Sequence, residues 1–166
     1  MKAPDIRQWG RPAVSVRRAE VADCDVLSET HISGFRRGWS GAEFEALLSQ
    51  PGVHALIAHY KNSFGSNRPA GFCLYRLVRD EAEILSVAVV HECRRRGVAR
   101  LLLEEALRHL YREGARTIHL EVEDANEAAI SLYRRMEFLE SGQRPGYYAQ
   151  GRERPGGALL MRRRLR

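Results

Sequence analysis

The chain has 166 residues, of which 44% are hydrophobic and 29% charged, with a formal net charge of +6. That length suits one domain with a sizeable core, and the balance excludes a disordered or fibrous chain. The cations are 25 arginines against two lysines, scattered rather than gathered in one tract, which argues against a nucleic-acid-binding arm but leaves a surface attractive to phosphorylated ligands.

Cys24, Cys73 and Cys93 are odd in number and widely spaced, so they indicate neither a disulfide framework nor a zinc site, and a reducing cytoplasm is the expected compartment. The opening "MKAPDIRQWGRP" has no apolar stretch of signal-peptide length, and the run "ILSVAVV" is far too short to span a bilayer. A cytoplasmic chain with no membrane partner and no bound metal is expected, as a monomer or weak dimer. Residues 1–12 read as a polar leader and 13–166 as a single domain.

In chain order, "AVSVRRA" alternates and predicts a strand, and 20–35 is loosely helical. Ser40 is a plausible N-cap for a short helix closed by Pro51–Gly52. Three strands follow, "GVHALIAHY", "AGFCLYRLV" and "AEILSVAVV", separated by "KNSFGSNRP" and "RDE", spacings that suit antiparallel hairpins. Ala99, Leu102, Leu103, Ala106, Leu107 and Leu110 recur at helical spacing, with Gly114 as C-cap. In "RTIHLEVE", Ile118, Leu120 and Val122 share one side of a strand, and His119, Glu121 and Glu123 share the other. A helix from near Asn126 carries Ala129, Leu132, Tyr133 and Met136 as its apolar stripe. "ALLMRRRLR" predicts a closing strand whose "RRRLR" reads as a solvated charge run or a polar strand end. The sum is an α+β domain with a mixed sheet.

The stretch "RRRGVARLLLEEALRHL" poses an electrostatic problem. A helix N-terminus carries partial positive charge and unpaired N–H groups, so Arg94, Arg95 and Arg96 cost stability there unless an anion sits among them. A strand ending at Val89 or Val90, a basic loop, Gly97 and a helix make such an anion site, with a diphosphate as the natural occupant. The pattern is neither GxxxxGK[ST] nor GxGxxG, and HExxH and GxSxG are absent, which prunes most nucleotide, metal and serine-nucleophile chemistry.

Arg94-x-x-Gly97-x-Ala99 after an apolar strand resembles the acetyl-CoA pyrophosphate loop of the GNAT acetyltransferases. With "LEVEDANEAAISLYRRMEF" and "QRPGYY" following at the family's distance, the chain is similar to the N-alpha-acetyltransferases of the RimI type, which acetylate the N-terminus of a small-subunit ribosomal protein. The resemblance is strong from Glu81 to Tyr148. It implies the GNAT acyl-CoA N-acyltransferase fold, with a mostly antiparallel central sheet flanked by helices, and acetyl-CoA as cofactor.

It also implies roles for particular residues. Main-chain groups of Val87, Ala88 and Val89 would meet the acetyl and pantetheine part, while Arg94, Arg95, Arg96, Gly97, Val98 and Ala99 would hold the diphosphate, and Asn126 would contact the cofactor. Glu121 would be the general base and Tyr133 the general acid, its phenol well matched to a departing thiolate. Tyr147 and Tyr148 would offer one ring to the acceptor groove. The resemblance points to a protein N-terminal α-amine as acceptor, on a ribosomal protein. A lysine side chain or a small amine uses the same chemistry, and a non-catalytic acyl-CoA or RNA-binding module is the rival of another class. Taken singly, Tyr133 reads as core, Asn126 as an N-cap and Glu121 as a solvated strand residue. The chain departs from the type at Met136-Glu137-Phe138, where glycine usually precedes the phenylalanine. If that glycine adopts positive φ, Glu137 must be strained or the helix must end differently.

Overall fold

A computed structural model describes residues 13–35, 37–61, 65–145 and 156–166. Seven strands and four helices follow one another as β1 (Ala13–Arg18), α1 (Cys24–Ile32), α2 (Gly41–Leu48), β2 (Val53–Lys61), β3 (Asn67–Val78), β4 (Glu81–Val89), α3 (Val98–Arg112), β5 (Thr117–Glu123), α4 (Glu127–Arg135), β6 (Leu139–Arg144) and β7 (Ala158–Arg164). The sheet order is β1-β2-β3-β4-β5-β7-β6. β4 and β5 pair in parallel, and the β1–β2, β5–β7 and β6–β7 pairs are antiparallel. The expected mixed α+β architecture is therefore present.

The chain forms two compact units. One comprises the chain up to Leu74 with Ser86–Ala106, the other Tyr75–Leu85 with Leu107–Arg166, so β3, β4 and α3 each pass from one unit into the other. In the first unit, the expected helix over 20–35 is broken into a 3₁₀ turn at Val21–Asp23 followed by α1. Asp23 causes the break. Its carboxylate accepts from the Glu20 amide at 2.8 Å and pairs with Arg17, whose hydrogen bond holds the Asp23 pKa down to about 2.

Helix α2 starts at Ser40 as its cap chemistry dictates. The Ser40 hydroxyl accepts from the Glu43 amide at 3.3 Å, and the Ser40 amide donates to the Glu43 carboxylate at 2.8 Å, satisfying two otherwise unpaired donors. Removing that hydroxyl with Ser40→Ala is expected to lower stability by about 1 kcal/mol. A urea titration should show the midpoint falling with an unchanged slope.

The apolar face of α3 buries Leu102, Leu103, Ala106 and Leu110 completely, and each large side chain contributes about 1.5–3 kcal/mol. In the second unit β5 alternates strictly, with Ile118, Leu120 and Val122 buried and the intervening residues half-buried. Helix α4 buries Ile130 and Tyr133 and ends at Met136. Glu137 then takes φ +64°, the left-handed conformation its position in the motif demanded. Arg163 offsets that strain, one nitrogen donating to the Met136 carbonyl and another pairing with the Glu137 carboxylate, both at 2.8 Å. The tail arginines are thus only partly a solvated run, because Arg163 turns inward to close α4.

Candidate active site

In the first unit the end of β4 is pressed against β3. A Cβ on Gly71 would lie 2.5 Å from the Ala88 carbonyl oxygen, so only glycine permits this approach. The Val90 amide donates to Ala70 O at 3.0 Å, after which the chain leaves the sheet through a 3₁₀ turn at His91–Cys93. Arg95 and Gly97 then adopt positive φ, +60° and +80°. The helical ladder begins with Leu101 N to Gly97 O. Among the described residues, no carbonyl accepts a hydrogen bond of ordinary geometry from the amides of Arg95 through Ala99. Unpaired amides in a left-handed turn at a helix start form a nest for an anion, and Gly97 has open space around its Cβ direction.

The three arginines there are not equivalent. Arg94 Nε donates to the Val89 carbonyl at 3.1 Å, and Arg96 donates to the Tyr60 hydroxyl at 2.8 Å with its guanidinium over the ring. Arg95 has no side-chain partner among the described residues. Two arginines brace the loop and one is available to a ligand, a division that three identical letters conceal.

Sequence reasoning also missed an aromatic cluster beside this loop. The buried His31 ring stacks on Phe35 at 4.2 Å and on Trp39 at 4.6 Å, with Phe44 edge-on. Its Nδ1 accepts from the Trp39 amide at 3.1 Å, and burial pushes its pKa down, so the ring is neutral with its proton on Nε2. The cluster fixes the segment after α1, and a Cβ on Gly34 would stand 3.8 Å from both Ala88 Cβ and Arg94 Nη2. The aromatic spacing at 31, 35, 39 and 44 was the available signal.

The second unit holds the titratable candidates. Glu121 lies on the half-buried side of β5, as its alternation required, paired in register with Leu160. Its carboxylate meets Arg144 Nη2 at 3.1 Å. Asn126 is the N-cap of α4, its side-chain oxygen accepting from the Ala129 amide at 3.1 Å. Tyr133 is buried, its ring 5.7 Å from Phe138 in an edge contact. The expected positions Tyr147 and Tyr148 lie outside the described residues. Burial raises the pKa of all three thiols, Cys24, Cys73 and Cys93, away from the nucleophilic thiolate. Among the described residues no group of three His, Cys, Asp or Glu side chains could hold a metal, and no helix is long and apolar enough to cross a membrane.

Residues 24–138 match the model of the acetyltransferase (GNAT) family. The chain belongs to that family, whose members use acetyl-CoA. More particularly, it is similar to the ribosomal protein bS18-alanine N-acetyltransferase of Salmonella typhimurium, 42% identical over 89 residues that make up 52% of this chain and 60% of that protein. The chain thus spans about three-fifths of that relative's length in the match. The N-alpha-acetyltransferase of Saccharolobus solfataricus is 39% identical over 160 residues, 91% of this chain and 93% of that protein. The crystal structure of the ribosomal-protein-S18-alanine N-acetyltransferase from Escherichia coli superposes with a TM-score of 0.82 at 25% identity, covering 92% of this chain and 94% of that one.

Proposed function

We propose that this chain transfers the acetyl group of acetyl-CoA to the α-amine of a protein N-terminus, that of a ribosomal protein in the cytoplasm, with both units acting as one catalytic domain. The nest of unpaired amides from Arg95 to Ala99 carries the reading, because a loop that combines left-handed backbone, glycine and an available guanidinium suits a diphosphate. Acetyl-CoA supplies the acyl group already activated as a thioester. Family membership and the similarity to two N-alpha-acetyltransferases support the reaction and the acceptor class.

The residues take the following parts in this reading. Backbone amides of Arg95 to Ala99 and the Arg95 guanidinium bind the diphosphate, and Asn126 contacts the same ligand. Main-chain N–H groups of Val87 to Val89 hold the carbonyl oxygen of the acyl group. Glu121 accepts the proton that the attacking amine loses, and Tyr133 donates one to the departing sulfur. One ring of the pair Tyr147 and Tyr148 contacts the acceptor. An α-amine with a pKa near 7.7–8.0 is roughly a third neutral at pH 7.5, whereas a lysine near 10.4 is only about 0.1% neutral. A carboxylate such as Glu121 therefore suffices for an N-terminus.

The reading is tested by incubating the protein with acetyl-CoA and an alanine-initiated peptide that also contains a lysine. Expected is the addition of one acetyl group, mapped by fragmentation to the α-amine and abolished when that amine is blocked. Modification of the lysine in the blocked peptide would reassign the acceptor, and no transfer at all would overturn the reading. Arg95→Ala is expected to raise the apparent KM for acetyl-CoA by about five- to tenfold at low salt with kcat nearly unchanged. The difference should shrink as salt is added.

A further inference from the structure

We infer that Arg144 is a specificity-determining residue that turns the site against polycationic acceptors such as polyamines. This rests on the proposed role of Glu121 as the base. The Glu121 side chain is only 25% exposed, and its carboxylate is already shared with a guanidinium at 3.1 Å. Any ammonium approaching that carboxylate meets a like charge, which disfavours it.

The strand register shows that the pairing is built into the sheet. In β6, Leu139 and Glu140 face Arg162 and Met161, but after a one-residue irregularity Gly142 faces Leu160 and Arg144 faces Ala158. Leu160 is also opposite Glu121, and Ala158 opposite Glu123, so Arg144 shares the face of Glu121. Without the bulge the alternation would be out of step by one, and Gln143 would occupy that face in place of Arg144. A bulge that re-aims a side chain beside a reactive group is a recurrent use of such irregularities. Gly142 accommodates the close packing, since a Cβ there would stand 3.0 Å from Leu160 Cδ1.

Three further carboxylates of the same unit also have partners of their own. Glu137 is paired with Arg163, Glu140 with Arg134 and Glu81 with His119. A polyamine would carry several charges toward the Arg144 guanidinium. An N-terminal α-amine brings one charge, which it sheds near neutral pH.

The experiment compares an alanine-initiated peptide with spermidine as acceptors at saturating acetyl-CoA, for wild type, Arg144→Met and Arg144→Lys. Arg144→Met keeps most of the apolar stem and removes the charge, and it should raise kcat/KM for spermidine relative to the peptide by about tenfold. Arg144→Lys should keep the wild-type ratio. An unmoved ratio in Arg144→Met, or an equal fall for both acceptors, overturns the inference, the latter by making Arg144 a positioning group for Glu121. Wild-type protein inert toward both acceptors overturns the acetyltransferase reading itself, a result distinct from an unmoved ratio.

Discussion

Tyr133→Phe should lower kcat by about 10²- to 10³-fold while acetyl-CoA binding, read by calorimetry, changes less than about twofold. The substitution removes only the hydroxyl. The ring remains available for its edge contact with Phe138, and the backbone carbonyl of Tyr133 still accepts from the Met136 and Phe138 amides at the end of α4. The ring packing is therefore kept while the proposed proton donation to sulfur is lost, which separates the two explanations that a buried tyrosine on an apolar stripe always allows. Equal losses in turnover and in cofactor affinity would show that Tyr133 serves packing. A kcat within about threefold of wild type would show that another group, or water, protonates the leaving sulfur.

Gly71→Ala should cost about 2–3 kcal/mol of stability and most of the activity. The added methyl would sit 2.5 Å from the Ala88 carbonyl and 3.2 Å from Val89 Cα, and both are backbone atoms that no rotamer change can move. Ala70 and Phe72 on either side are fully buried, so β3 cannot swing away cheaply. The strain must then appear in β4 at the residues proposed to hold the acyl carbonyl. Chemical denaturation should show a lower midpoint, and the surviving folded protein a reduced kcat/KM. An unchanged midpoint would mean that β3 and β4 separate more easily than their packing implies.

Local signals account for what was legible in the sequence. Strand β5 was readable because its alternation is imprinted by burial of Ile118, Leu120 and Val122, and α2 because Ser40 and Glu43 form a reciprocal cap. The left-handed backbone at Glu137 was legible for the same reason, since a helix terminus constrains φ whatever residue occupies it. Strand β6 was not legible. "LESGQR" lies at the sheet edge with nearly every side chain exposed, so nothing imposes alternation on it. The inward turn of Arg163 and the reach of Arg144 to Glu121 depend on β7 inserting between β5 and β6, a non-local pairing that no window of residues reveals. The differing duties of Arg94, Arg95 and Arg96 were hidden for a similar reason, their partners being a carbonyl five residues back and a tyrosine on β2.

That bracing has a kinetic corollary. With Arg94 fastened to Val89 and Arg96 to Tyr60, only the Arg95 side chain of the three is left for an arriving polyanion to order, and the flanking positive charge acts mainly while the partners are still apart. Added salt should therefore slow encounter more than it hastens escape.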